Sequence, residues 1–362
     1  MSPLSLSGTD GQMGKLGEYP VKTVGTLLMV VGLLLSAITA HAQQDGGSGT
    51  VQLYSETAEL MGVEFSISLY APSETIAREA IYKAFSRITE LESCLSNYQA
   101  DSEITLLCQA GGPMRVSDDL WFVLRESMFY RQISGGAFDI TVGRITRLWR
   151  RARRQKEFPS RSRIKEEMKF VGGDLLRFDA EEQTVEILKP GVLIDLGAIG
   201  KGFAADEALQ VLRDLDLGSA VINASGDVLF GDAPPDKQGW PAAIASFPPG
   251  EEPTFLEPLA NLALATSGDA YQHLEYQGQR YSHIIDPRTG IPVRGRSSVS
   301  VLAVSGLRSD ALASAVSVLG PRKGVALIKE LAKTEVYMGF QRAFGKPIQT
   351  NSTAGFPLKS KK

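Results

Sequence analysis

Between Met61 and Leu95 the spacing of apolar side chains switches from two residues to three or four, and this switch constrains the fold more than any other feature of the chain. Val63, Phe65, Ile67 and Leu69 alternate with Glu64, Ser66 and Ser68, the period of a strand with one buried face. From Pro72-Ser73 onward, Ile76, Ala80, Ala84, Ile88, Leu91 and Leu95 recur at helical spacing, which predicts a helix packing one stripe on the sheet. Any fold has to place that helix back on the strand that precedes it.

The later segments mix both periods without regular alternation. A polar loop over 96–103 precedes a helix that starts near Ser117 and stops at Gly135-Gly136, a usual glycine termination. Two apolar runs within Thr184 to Leu196 flank Lys189-Pro190-Gly191 and read as a hairpin. Helices are expected from Phe203 to Leu215, from Ser309 to Gly320-Pro321 and from Lys323 to Leu331. Strands are expected at Ala220–Ala224, Ala242–Phe247, Leu262–Thr266, Val299–Val304 and Val336–Phe340. The expected class is therefore α+β, with mixed or antiparallel sheets and packed helices, rather than a doubly wound sheet.

The termini carry a different message. Lys15 and Lys22 precede an apolar run from Val24 to Ile38, and Ala40-His41-Ala42 supplies a small-x-small cleavage pattern, so residues 1–42 read as a secretory signal peptide. The apolar run is short for a bilayer span, and no cysteine follows the cut to take a lipid. The expectation is an exported, periplasmic protein with no transmembrane anchor in its mature form, membrane association being left open. Residues 43–56, rich in Gly, Gln and Ser, read as a flexible linker, 57–345 as the domain and 346–362 as a tail. With 38 basic and 41 acidic residues, no overall field draws the chain to nucleic acid. The basic run from Arg144 to Lys165 reads as a solvated excursion by default, with binding of an acidic partner as the alternative. Cys94 and Cys108 fit no zinc spacing; a disulfide and two separate buried thiols both remain open.

Five polar constellations stand at the ends of expected elements. Gly197 to Gly202 lies between a strand and a helix and by itself reads as a tight turn, but backbone amides there can receive phosphate, and Lys201 adds a cation suited to a diphosphate. It matches neither the dinucleotide nor the Walker pattern. Asp310 and Ser314 share a helical face at i and i+4; this hard oxygen pair suits Mg²⁺, while a helix-start carboxylate and a back-bonded serine would look the same. Asn223 to Asp227 and Thr266 to Asp269 both end strands in Ser-Gly-Asp. Tyr281 to Gly290 packs His283, Asp286, Arg288 and Gly290 into one short stretch.

Taken in order, these motifs resemble the FAD:protein FMN transferases, also called ApbE flavin transferases. The resemblance runs from about Glu59 to Phe340 and includes Met61-Gly62, Leu95 to Tyr98 with Ser102 to Ile104, Gly136 to Gly143, Asp195 to Asp206, Asn223 to Asp227, Thr266 to Asp269, His283 to Gly290 and Asp310 to Ser314. It implies Mg²⁺-dependent transfer of FMN from FAD to a threonine hydroxyl of an exported target protein, with release of AMP. By resemblance, Met61, Ser96, Asn97, Tyr98, Ala137, Phe138, Asp139 and Lys201 surround FAD. Ala198, through its backbone carbonyl, joins Asp310 and Ser314 on the metal, and His283 is the candidate that helps deprotonate the incoming threonine. An unperturbed imidazole titrates close to neutral pH, which suits that task. Where the family usually has threonine, proline and glycine, this chain has Ser314, Arg144 and Ser225. It has no Ser-Gly-Ala-Thr acceptor motif of its own, so modification is expected in trans. Two alternatives use the same contacts: an FAD pyrophosphatase yielding FMN and AMP, and a non-catalytic exported FAD-binding protein.

Overall fold

The computed structural model describes residues 51–247, 250–269, 272–341 and 346–360. The expected signal peptide lies outside the described residues, as does the linker up to residue 50. In chain order the first half holds β1 (Gln52–Leu60), β2 (Val63–Ala71), α1 (Glu74–Leu95), α2 (Glu103–Gln109), β3 (Met114–Arg115), α3 (Asp118–Ile133), α4 (Gly143–Gln155), α5 (Arg161–Met168), β4 (Leu176–Asp179) and β5 (Thr184–Ile187). Then come α6 (Gly200–Asp214), β6 (Ala220–Ala224), β7 (Asp227–Phe230), β8 (Ala243–Ile244), β9 (Thr254–Phe255), β10 (Leu262–Gly268), β11 (His273–Tyr276), β12 (Gln279–Asp286), β13 (Ile291–Arg294), β14 (Arg296–Ala303), α7 (Gly306–Lys329), β15 (Glu335–Gln341) and β16 (Gln349–Ser352).

Eight strands form one antiparallel sheet in the order β1-β2-β6-β7-β10-β14-β15-β16. Its central strands have no water-facing side, and their side chains divide by parity. Ile222, Leu229, Ala263, Ala265 and Val301 join the core beneath α1, α6 and α7. Val221, Val228, Phe230, Leu264 and Leu302 pack on the opposite face against Trp240, Ile244, Leu256 and Phe356. The period-two reading of β2 holds on its helix-facing side, where Phe65, Ile67 and Leu69 are fully buried.

Several boundaries differ from the sequence reading. β1 begins at Gln52, so the end of the segment read as linker pairs with β2 along its whole length; its alternation was masked by exposed Ser and Glu on an edge strand. Part of the expected tail is structured as well, because β16 pairs with β15 and Thr353 and Phe356 are buried. The hairpin lies between β4 and β5 rather than at Lys189-Pro190-Gly191. The run after that proline instead threads beside Ile140 to Gly143: Val142 bridges Leu193 in parallel, and the Asp195 amide donates to the Ile140 carbonyl at 2.7 Å. The two helices expected on either side of Gly320-Pro321 are both present, meeting within α7 at a kink where Gly320 leaves helical geometry (φ 72°, ψ 179°). Cys94 and Cys108 are free thiols, the first donating to Glu103 and the second accepting from the Ile194 amide.

The largest departure is the basic run, which forms α4 and α5 instead of a solvated excursion. Ile145, Trp149 and Ala152 make an apolar stripe on α4 that packs with Ile164 of α5 against Leu274, Tyr281 and Ile285 of the small sheet β11-β12-β13. Arginine has high helix propensity, so the run carries no backbone objection to helix, and the three buried residues suffice to anchor it.

Candidate active site

A cavity of about 870 Å³ opens between the ends of the main-sheet strands, the first turns of α6 and α7, and a wall made by α4 and β12. All twelve residues singled out by sequence line it: Met61, Ser96, Asn97, Tyr98, Ala137, Phe138, Asp139, Ala198, Lys201, His283, Asp310 and Ser314. Its size lies within the range of cofactor sites.

The floor is built where α6 and α7 cross. A Cβ on Gly202 would sit 2.2 Å from the Gly306 carbonyl oxygen, so the two backbones touch there and only glycine fits. Asp206 on α6 accepts from the Gly306 and Leu307 amides at 2.6 and 2.8 Å and so caps α7 from across the crossing. Burial raises its carboxyl to about 6 against the pull of those two amides. α7 starts at Gly306, which puts Asp310 in its second turn, where the carboxylate accepts from the Gly202 amide at 3.3 Å rather than capping its own helix. Lys201 stands between two carboxylates, 2.5 Å from Asp227 and 3.5 Å from Asp310. Burial alone would lower its ammonium, but Asp227 and Asp310 outweigh burial and hold it above its usual value. Burial, with help from Asp227, raises the Asp310 carboxyl although Lys201 opposes it.

Tight turns deliver the remaining floor groups. β1–β2 and β6–β7 each turn through two residues at positive φ, Met61-Gly62 and Ser225-Gly226, the type I′ geometry that suits the twist of paired strands. The first turn brings Met61 to the cavity. The second starts β7 at Asp227, whose other carboxylate oxygen accepts from the Thr266 amide at 3.2 Å. Ser267 at the end of β10 places its hydroxyl 3.4 Å from that of Ser314. Asp269, buried, accepts from the Ser297 amide and pairs with Arg280, which ties the small sheet to the main one. Asp139 lines the cavity, yet its carboxylate is held by Arg131 at 2.7 Å and by the Thr141 amide and hydroxyl at 2.9 and 2.6 Å.

The wall is differently made. His283 shows its Nδ1 without a partner among the described residues. Burial, followed by the charge of Arg153, lowers its imidazole to about 4, so it is neutral at pH 7 and does not titrate where the sequence alone would put it. Asp286, Arg288 and Gly290 close the turn after β12: the Asp286 carboxylate accepts from the Arg288 amide and guanidinium, and the Gly290 amide donates to the Asp286 carbonyl at 2.8 Å. Trp149 Nε1 donates to the Gly290 carbonyl at 2.8 Å and holds this turn on α4. Arg150 also lines the cavity, 3.3 Å from Asp195 and with its guanidinium 5.1 Å from the centre of the Tyr98 ring. Tyr98 is 78% exposed, so one aromatic face is open at the mouth.

No cluster of three His, Cys, Asp or Glu side chains occurs among the described residues. A metal here would rest on one carboxylate completed by hydroxyl, carbonyl and substrate oxygens, which is how Mg²⁺ is commonly held. Asp310, Ser314 and Ala198 all line the cavity floor, and a carboxylate, a hydroxyl and a backbone carbonyl make an all-oxygen donor set whose chemistry fits the ion. Sequence reasoning passed over Asp227, Thr266 and Ser267 as individual side chains, although it marked their turns. It missed Arg150 because charge density hid a helical stripe.

Fold and cavity together define the class: an α+β protein with a cofactor-sized cavity in which a buried lysine and two carboxylates meet. Residues 61–338 match the ApbE family, and the chain belongs to that family. It is 31% identical over 304 residues to an FAD:protein FMN transferase of Treponema pallidum, a match covering 79% of this chain and 84% of the relative. A Vibrio cholerae FAD:protein FMN transferase is 30% identical over 247 residues, covering 66% and 73%. Among solved structures, the apo form of the Pseudomonas stutzeri flavinyl transferase ApbE superposes with a TM-score of 0.75 at 25% identity, covering 85% of this chain and 97% of that one. The Vibrio cholerae flavin transferase ApbE gives 0.73 at 26%, covering 84% and 98%. The α+β class expected from sequence is the observed one.

Proposed function

We propose that this protein is a Mg²⁺-dependent FAD:protein FMN transferase that joins FMN to a threonine hydroxyl of an exported target protein and releases AMP. The observation that carries the reading is the meeting, on one cavity, of the Lys201–Asp310–Ser314–Ala198 floor with the unpartnered imidazole of His283. In this reaction the threonine oxygen bonds to the phosphorus of the FMN half. The bond from that phosphorus to the bridging oxygen breaks, and AMP leaves with that oxygen.

Lys201 and the amides at the start of α6 face the pyrophosphate, as expected of a helix N-terminus and a buried cation. Asp227 fixes the Lys201 ammonium at 2.5 Å, so the cation is positioned before the ligand arrives. The open ring of Tyr98 offers a stacking face for the flavin. The His283 imidazole takes the threonine proton; the negative phosphates beside it raise its low basicity at the moment it is needed. Mg²⁺ held by Asp310, Ser314 and the Ala198 carbonyl would neutralise charge that builds on the transferring phosphoryl group.

Mass spectrometry of a co-expressed acceptor domain tests the reading: it should gain the mass of FMN less water on a threonine. Free FMN and AMP without an adduct would make the protein a pyrophosphatase. Bound FAD that survives Mg²⁺ with no AMP would make it a binding protein. Export and a periplasmic location belong to the same proposal, and N-terminal sequencing of the secreted protein, starting at Gln43, would support them.

A further inference from the structure

α4 carries six arginines and no acidic residue in a chain whose formal net charge is −3. Its side chains fall into three stripes at helical spacing. Ile145, Trp149 and Ala152 are buried in the small-sheet core. Thr146, Arg150 and Arg153 form the next stripe, of which Thr146 and Arg150 line the cavity. Arg147, Arg151 and Arg154 are exposed outside it.

This arrangement costs the helix stability unless something answers it. Arg147 with Arg151 and Arg150 with Arg154 are like charges at i,i+4, an unfavourable spacing on one helix. Arg150 has Asp195 at 3.3 Å. Arg153 is half-buried between Arg150 and Arg154 and makes no ion pair or hydrogen bond with any described residue. A partly desolvated guanidinium without a counter-charge is a receptor for an anion. Its charge is felt at His283, on the wall where the acceptor hydroxyl must come, whereas the floor already supplies Lys201 for the pyrophosphate.

We propose that α4 is the docking face for an acidic acceptor segment, with Arg153 receiving a carboxylate beside the hydroxyl to be modified and Arg147, Arg151 and Arg154 steering the approach. The inference rests on the transferase reading and adds what selects the acceptor.

The test uses the full-length mature protein with FAD, Mg²⁺ and two synthetic peptides, a Ser-Gly-Ala-Thr core flanked by Asp and the same core flanked by Asn. The wild type should modify the Asp peptide with a KM about tenfold lower, and that KM should rise with salt while the Asn peptide's does not. Arg153→Ala should abolish the preference and Arg153→Lys should keep part of it. Arg147→Ala, Arg151→Ala and Arg154→Ala together should flatten the salt dependence. Equal KM values for the two peptides in the wild type, or an undiminished preference in Arg153→Ala, would overturn the inference; the wild-type arm decides even if a variant fails to fold. Sedimentation with phosphatidylglycerol vesicles that the triple variant loses, with no peptide preference, would assign the face to an anionic membrane and overturn it too. Release of AMP with neither peptide modified would overturn the transferase reading itself, and this inference with it.

Discussion

The floor and the wall of the cavity are built on opposite principles. On the floor every charge is answered within the protein: Lys201 by Asp227 and Asp310, Asp206 by two backbone amides, Asp139 by Arg131 and Thr141. On the wall Arg150 has Asp195, but among the described residues His283 Nδ1 lacks a partner and Arg153 a counter-charge, and the Tyr98 ring is exposed. A compensated floor can hold highly charged groups in fixed positions without a ligand, because buried charges are tolerable only when paired. An uncompensated wall gains most when a partner arrives. The difference suggests a division of labour, with the floor preorganised for the nucleotide and the wall for whatever comes to take the flavin.

The largest expected effect tests whether the floor does chemistry. Asp310→Ala should lower AMP release from FAD by about a hundredfold or more, since several kcal/mol of charge stabilisation are lost and each 1.36 kcal/mol is tenfold in rate. Chromatographic AMP assays measure this, and an unchanged rate would sink the metal assignment. Next comes the crossing that holds the floor. Gly202→Ala drives a Cβ to 2.2 Å from a backbone oxygen that has no rotamer to escape into, so about 3 kcal/mol of stability should be lost in urea unfolding. A loss below about 1 kcal/mol would show that the two helices can slide apart.

How much of this was readable without coordinates follows the same divide. The floor motifs were legible because each is a local turn or helix start whose residues are contiguous: Gly197 to Gly202, Asn223 to Asp227, Asp310 to Ser314. Their pairing was not, since Lys201, Asp227 and Asp310 meet only through the antiparallel order of β6, β7 and β10 and the α6–α7 crossing. The wall was misread for a physical reason. Dense arginine looks like a solvated face, and the three residues Ile145, Trp149 and Ala152 that turn α4 inward are too few to dominate its pattern. Similarly β1, an edge strand with mostly polar outward positions, looked like the linker before it.

Two smaller effects probe the wall. Trp149→Phe keeps the ring packing but removes the donor to the Gly290 carbonyl, leaving a buried acceptor unsatisfied; about 1.5 kcal/mol of stability should go. FAD affinity, read by flavin fluorescence, should change little, because the floor does not touch this bond. Loss of FAD binding as severe as for a floor variant would erase the distinction between the two regions. For His283 the sign is fixed by its lowered value. The folded state favours the neutral ring, so its contribution is complete above the unfolded value near 6.5 and is lost as pH falls from there to about 4. The Tm of the wild type should therefore fall more steeply than that of His283→Asn across that window, and parallel curves would mean that the ring is better solvated than its surroundings indicate.

The smallest effect asks whether the floor stores strain. Ser225 sits at φ 53° in the β6–β7 turn and makes no side-chain hydrogen bond with a described residue. A left-handed conformation costs a non-glycine residue about 1–2 kcal/mol, whereas glycine gives back roughly 0.5–1 kcal/mol through its freer unfolded chain. Ser225→Gly should thus stabilise the protein by about 0.5 kcal/mol, seen as a small rise in the urea midpoint without a change in slope. If stability falls instead, the serine hydroxyl must be holding the turn that starts β7 at Asp227, and with it the carboxylate that places Lys201. In that case AMP release should fall alongside stability, and the strain would be part of how the floor is kept in register.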